Sequence, residues 1–214
     1  MKEYQPWGDD WRKELTFVPS LPSQREDMDH TPILPMYPIF VSALEKLEGE
    51  AFWQAVGGAI LYLIGHEPDN PLVKSYVEWI NQYNPNLAIK LMLDGTTAAS
   101  QFDLETAIWM LQASLLMDPE LVEANYNLGL AFSHLGDALQ KEERQAEADS
   151  SYKQAYQYLN NALQLDPELS MAYYTLGVVC RRIGKQDESK FYLEKAINLD
   201  IQKKENEEMS SWQA

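Results

Sequence analysis

The side chains best suited to chemistry are few and scattered. His30, His66 and His134 lie on three separate segments. No two of them share the H-x3-H or H-E-x2-H spacing that brings imidazoles together around a metal. Cys180 is the only cysteine, so these residues form neither an internal disulfide nor a thiolate cluster, a usage that fits a reducing cytosol. There is no G-x-S-x-G elbow, no P-loop and no G-x-G-x-x-G turn. Paired acids are frequent, but on helices they read as solvated faces. The expectation is a non-catalytic chain with no metal and no cofactor, in which Cys180 is a buried packing thiol.

The elements around these residues must then be judged as architecture. The chain has 214 residues, 45% hydrophobic and with 24 aromatic side chains (six Trp, twelve Tyr, six Phe), enough for a packed core. Its net charge of −16 repels phosphate backbones and anionic lipid, which argues against nucleic acid and membrane surfaces as partners. The most apolar run, 51–65, is 15 residues long and contains Gln54. A membrane span needs about 20 apolar residues, so a buried helix fits this run better. The first residues, "MKEYQPWGDDW", lack the apolar centre of a secretory signal. A soluble, cytoplasmic protein is expected.

A period organises the rest. Asn84-Pro85, Asp118-Pro119 and Asp166-Pro167 each follow an apolar helix-like run, and Pro85 to Pro119 spans 34 residues. A further 34 residues from Pro167 reach Ile201, where "EKAINLDI" echoes "NNALQLDP". The residue before proline avoids the α region, so each Asp-Pro ends one helix and begins the next. Within the period a large-x2-Leu-Gly-x2-large pattern precedes a small residue and then the proline position. One copy reads Asn125, Leu128, Gly129, Phe132, Ala155, Leu159, Pro167, and the next Tyr173, Leu176, Gly177, Cys180, Ser189, Leu193, Ile201. A worn copy reads Leu91, Asp94, Gly95, Ala98, Ala107, Leu111, Pro119. The small residues allow paired helices to approach and the large ones fill the remaining space.

This pattern resembles the tetratricopeptide repeat (TPR) family, over 86–201 and more faintly over 50–85, where Trp53, Val56, Gly57 and Ile60 keep the first-helix spacing. The resemblance implies an all-α fold: a right-handed TPR-type helical solenoid of antiparallel helix pairs with about three to four repeats, one of them elongated. The expected organisation is a Pro-rich arm (1–38), a divergent helical region with a degenerate first repeat (39–85) and repeats at 86–119, 120–167 and 168–201. A tail or capping helix (202–214) follows.

The middle repeat is 14 residues longer than its neighbours, and all the excess falls between Gly129 and Ala155. That insert, within "DALQKEERQAEADSSYKQAY", has no Gly or Pro and is rich in helix formers. Apolar residues enter it at Leu128, Phe132, Leu135 and Leu139 and leave it at Tyr152, Tyr156, Leu159 and Leu163, all at helical spacing. Seven extra residues per helix is about two turns, so both faces stay in register. The hairpin tip is expected near Glu142 to Ala148, with Glu142, Glu143, Glu147 and Asp149 forming an acidic contact element or simply a solvated end. A similar stretched hairpin occurs in the TPR assembly factor for photosystem I, which implies an assembly-factor or co-chaperone role as one alternative.

In the family the first helix of each pair lines a concave groove that holds an extended peptide or helix. Counted from the glycines, the implied peptide-binding residues are Met92, Tyr126, Leu130, His134, Tyr174, Val178, Arg181 and Arg182, with Thr96 and Ser133 beside them. Family members that grip chaperone C-terminal carboxylates have Lys and Asn where this chain has Tyr126 and Leu130, so that clamp is missing. The partner implied is a protein or peptide, hydrophobic or mixed in character. A structural homo-oligomer is the alternative.

Six of the eleven prolines lie in 1–38, and "TPILPMYPIF" suits polyproline II. Such an arm either docks into an aromatic-lined module or caps the first helices over Trp53 or Trp79. Deleting residues 139–152, fourteen in all, should restore a 34-residue repeat and leave the helical circular dichroism signal intact. Collapse of that signal would place the insert elsewhere.

Overall fold

The computed structural model describes the backbone at 15–19, 36–40, 57–61, 63–64 and 68–211. Strands β1 (Leu15–Pro19) and β2 (Met36–Phe40) pair antiparallel, from Leu15 opposite Phe40 to Pro19 opposite Met36. This corrects the polyproline II expectation for the end of the arm. Thr16, Phe17, Val18, Tyr37, Ile39 and Phe40 are strand formers, and a paired ribbon satisfies backbone groups that polyproline II leaves to water. Whether the arm caps Trp53 falls outside the described residues.

Seven helices follow: α1 (Val73–Tyr83), α2 (Leu87–Ser100), α3 (Leu104–Met117), α4 (Val122–Lys141), α5 (Gln145–Leu165), α6 (Ser170–Arg182) and α7 (Gln186–Ser211). Residues 57–61 and 63–64 are also helical. α7 continues past Ile201 without a break, so the last repeat and the tail share one helix.

The chain divides into two compact units, 1–93 with 112–118, and 94–111 with 119–214. In the first, Ile60, Ile64, Tyr76, Trp79 and Ile80 are buried. Ser114 Oγ donates to the Ala88 carbonyl at 2.8 Å and Asn81 Nδ2 to that of Met117 at 3.1 Å. Burial pushes the Tyr76 phenol up to about 12. In the second unit the buried centre joins Leu139, Ala148, Tyr152, Ala155 and Leu159 to Ala172, Leu176, Val179 and Cys180.

Local chemistry sets the helix ends. Asp166 Oδ1 accepts the Glu168 N–H at 2.9 Å, an Asx turn that leads the chain through Pro167 into α6. Buried Asn125 donates to the carbonyls of Pro119 and Leu121 at 3.1 and 3.0 Å, fastening the turn before α4. Three hairpin turns close identically, each on a left-handed residue: Phe102 (φ 61°), Glu143 (φ 61°) and Gly184 (φ 80°). The next N–H returns to a carbonyl five residues back: Asp103 to Ala98 (3.1 Å), Arg144 to Leu139 (2.9 Å) and Lys185 to Cys180 (2.8 Å).

The helix pairs are antiparallel and meet at glycines. A Cβ added to Gly129 would lie 2.7 Å from Leu159 Cγ, and one added to Gly177 2.7 Å from Leu193 Cγ. Ser189, twelve residues after Gly177, donates through Oγ to its carbonyl at 2.7 Å. In the elongated pair the contact recurs seven residues on: a Cβ at Gly136 would lie 2.5 Å from the Tyr152 ring. The turn between α4 and α5 falls at Glu142–Arg144, within the expected tip. Gly136 stands as far from Gly129 as the left-handed Gly184 stands from Gly177. Removing fourteen residues after it would therefore give the shortened repeat a ready turn glycine.

Gly129→Ala should lower unfolding free energy by about 1–3 kcal/mol, because the added Cβ would meet the Leu159 backbone N at 3.2 Å as well as its side chain at 2.7 Å. Gly58→Ala has the opposite sign. Gly58 is exposed on a helical segment with nothing within 4 Å of an added Cβ, so stability should rise by about 0.5–1 kcal/mol. Urea denaturation of the two variants measures the contrast.

Candidate protein-interaction surface

On α6 the core takes Ala172, Leu176, Val179 and Cys180, all fully buried. The opposite face then carries Met171 and Tyr174, each 60% exposed, with Val178 half-buried and Arg181 exposed beside them. Four expected site residues, Tyr174, Val178, Arg181 and Arg182, thus share one side of this helix. Met171 joins them and was missed. It lies three residues before Tyr174, at the spacing that marks one helical face. Arg182 is engaged: its Nε is 3.0 Å from Asp137 Oδ1 on α4, an ion pair between successive repeats.

The expected residues on α4 differ in exposure. His134 is exposed and Leu130 half-buried, whereas Tyr126 packs against the core and Ser133 is buried. Asn127 donates to Thr96 Oγ1 at 2.9 Å, tying α4 to α2. Met92 belongs to the first unit and is half-buried there. The acids at the hairpin tip are not four free charges. Arg144 donates to Glu147 at 2.6 and 2.8 Å and to Glu142 at 3.0 Å, and Gln145 donates to Asp149 at 2.8 Å. The Arg144 hydrogen bonds hold the Glu147 carboxyl below the usual carboxylate range.

Beneath the α6 face, Cys180 lies beside a polar cluster shared by α5, α6 and α7. The Tyr156 hydroxyl donates to Glu188 Oε2 at 3.0 Å, and the Lys185 ammonium lies 2.8 Å from Glu188 Oε1 and 4.6 Å above the Tyr156 ring. Lys185, then Tyr156, keep Glu188 below the usual carboxylate range. Burial, with the Glu188 charge adding to it, pushes the Cys180 thiol up to about 11. A thiol so raised is a packing group rather than a nucleophile.

Residues 172–200, which cover most of α6 and the first half of α7, match the family model of the tetratricopeptide repeat. The contact inside that match, Gly177 on Leu193 with Ser189 alongside, is the one that Gly129 makes with Leu159 in the preceding pair. Residues 172–200 therefore form a tetratricopeptide repeat. No curated protein matches it in sequence. Among solved structures, this chain is similar to the MamA R50E mutant at 17% identity and a TM-score of 0.48, over 67% of this chain and 96% of that one. It is also similar to a crystal structure of MamA protein at 17% identity and a TM-score of 0.46, over 72% and 85%. Among the described residues no helix is long and apolar enough to cross a membrane.

Two alkaline signatures follow for the core of the second unit. Cys180 should resist iodoacetamide at pH 8 in the native protein and react fully in denaturant. The Cys180 thiol and the Tyr152, Tyr156 and Tyr192 phenols are all raised, chiefly by burial. Groups raised on folding stabilise fully below their unfolded values, 9.0 for the thiol and 10.0 for the phenols. Stability measured in urea should therefore be flat up to about pH 9 and fall as pH rises toward 11 and beyond.

Proposed function

We propose that the chain is a non-catalytic scaffold that holds a peptide or helix of a partner protein on the first-helix faces of its repeats. The observation that carries this reading is the pair Met171 and Tyr174, 60% exposed on a helix whose other large apolar residues are buried or half-buried. Tyr174 offers a large, rigid contact surface at low entropy cost, and such residues dominate peptide interfaces. Arg181 beside them is exposed and suits an acidic side chain on a mixed ligand. On α4, Leu130 and His134 continue this surface, with Tyr126 as its half-buried floor. In this reading the working repeats are 86–119, 120–167 and 168–201, and Met92 belongs to the first of them.

The exposure difference separates the two tyrosines. Tyr174→Ala should abolish most partner capture in an affinity capture from the native cell while leaving helicity and melting temperature unchanged. Tyr126→Ala should lower the melting temperature as well, because that ring packs against the core. Undiminished capture by Tyr174→Ala would remove the α6 face from the binding surface. Sedimentation over a concentration range reads the homo-oligomer alternative, which a constant monomer mass eliminates.

A further inference from the structure

Phe102 is 79% exposed, the highest value among the large hydrophobic residues described. It occupies the left-handed position of the α2–α3 turn at φ 61°, where the equivalent α6–α7 turn has Gly184 at φ 80°. A side chain there carries a backbone strain that glycine avoids. An exposed ring recovers almost none of that cost by burial. Folding of the turn therefore gives no reason for a phenylalanine.

Its surroundings are specific. Gly95 to Phe102 is seven residues, whereas Gly129 to the equivalent Glu143 is fourteen. The α4–α5 hairpin is therefore about 10 Å longer than the α2–α3 hairpin. Asp103 and Glu105 border it, and Glu105 sits above its usual range through burial and the nearby Asp103 charge. No Lys or Arg occurs between Lys90 and Lys141. Of the acids in that interval, Asp103 and Glu105 flank Phe102, whereas Glu120 and Glu123 follow the far end of α3 and Asp137 is paired with Arg182.

We propose that Phe102 is a docking anchor that seats the apolar face of a basic amphipathic helix of a partner protein. The ring fills the apolar face, and Asp103 and Glu105 pair with Lys or Arg side chains flanking it. Charge complementarity chooses this occupant: the turn carries Asp103 and Glu105, and no Lys or Arg stands within ten residues of Phe102 along the chain. The anchor is separate from the α6 face, so each can fail alone.

Calorimetric titration of the full chain with a synthetic Leu/Lys amphipathic helical peptide tests it, with a Leu/Glu peptide of the same apolar face as control. The Leu/Lys peptide should bind, more weakly at high salt, and the Leu/Glu peptide should not. Phe102→Gly should weaken binding at least ten-fold while Tm holds or rises, and Glu105→Gln should weaken it a few-fold. Tyr174→Ala should bind like the parent. The proposal is overturned by absence of Leu/Lys binding, by equal binding of the two peptides, or by parent-like affinity of Phe102→Gly. Equal loss in Tyr174→Ala overturns it too, as does a marked fall in Tm of Phe102→Gly, which would make Phe102 a structural residue.

Discussion

Everything in the second unit depends on how closely two antiparallel helices approach at a glycine. At Gly129 and Gly177 there is no room for a methyl group, because a leucine of the partner helix stands 2.7 Å from where Cβ would be. Interior packing is dense enough that such a contact fixes both rotation and axial register of the pair. Ser189 adds direction, since its hydroxyl finds its acceptor only on the Gly177 carbonyl facing it. Buried Ala155 takes the equivalent place opposite Gly129. Each pair therefore has one close layer, and large residues above and below fill the widening gap.

That constraint explains how a fourteen-residue insert is tolerated. Seven residues per helix is close to two turns, so a second close layer forms without rotating either helix. Gly136 and Tyr152 repeat Gly129 and Leu159 one heptad further out, and Ala148 repeats Ala155. The replacement of leucine by tyrosine in this layer has a consequence. The Tyr152 hydroxyl donates to Asp137 Oδ1 at 2.7 Å, and Arg182 of the next repeat meets the same carboxylate oxygen at 3.0 Å. The added layer thereby gains a polar link to α6 that a leucine could not make.

The parts of this arrangement that depend on spacing were legible in the sequence. The close glycines and the hairpin tip follow from counting residues between small and large positions, because helical geometry converts a count into a direction. The arm was less legible: "TPILPMYPIF" satisfies polyproline II locally, and the strand at Met36–Phe40 arises only from pairing with Leu15–Pro19, some twenty residues away. On the candidate surface, spacing placed Tyr126 and Tyr174 alike, yet one packs against the core and the other is 60% exposed. That difference lies in which neighbours each repeat has, which a single-repeat pattern does not encode. Phe102 gave no signal at all, since a left-handed turn position announces itself in sequence only when it is glycine.

The same close layers decide where binding energy can reside. Once glycine and small residues fix the inner face of α6, its apolar side chains have only two destinations, the core or solvent. Leu176, Val179 and Cys180 are fully buried, and burying a side chain of this kind is worth about 1.5–3 kcal/mol. Met171 and Tyr174 gain little of this from folding, so substituting them should change stability by far less than substituting a core residue. Core packing therefore leaves these positions open to substitution without loss of the scaffold. Arg182, tied to Asp137, is less open to change than Arg181, which stands one residue earlier with no ion pair among the described residues. Rigidity from the glycine layers and open side chains on the outer face are thus two outcomes of one packing rule.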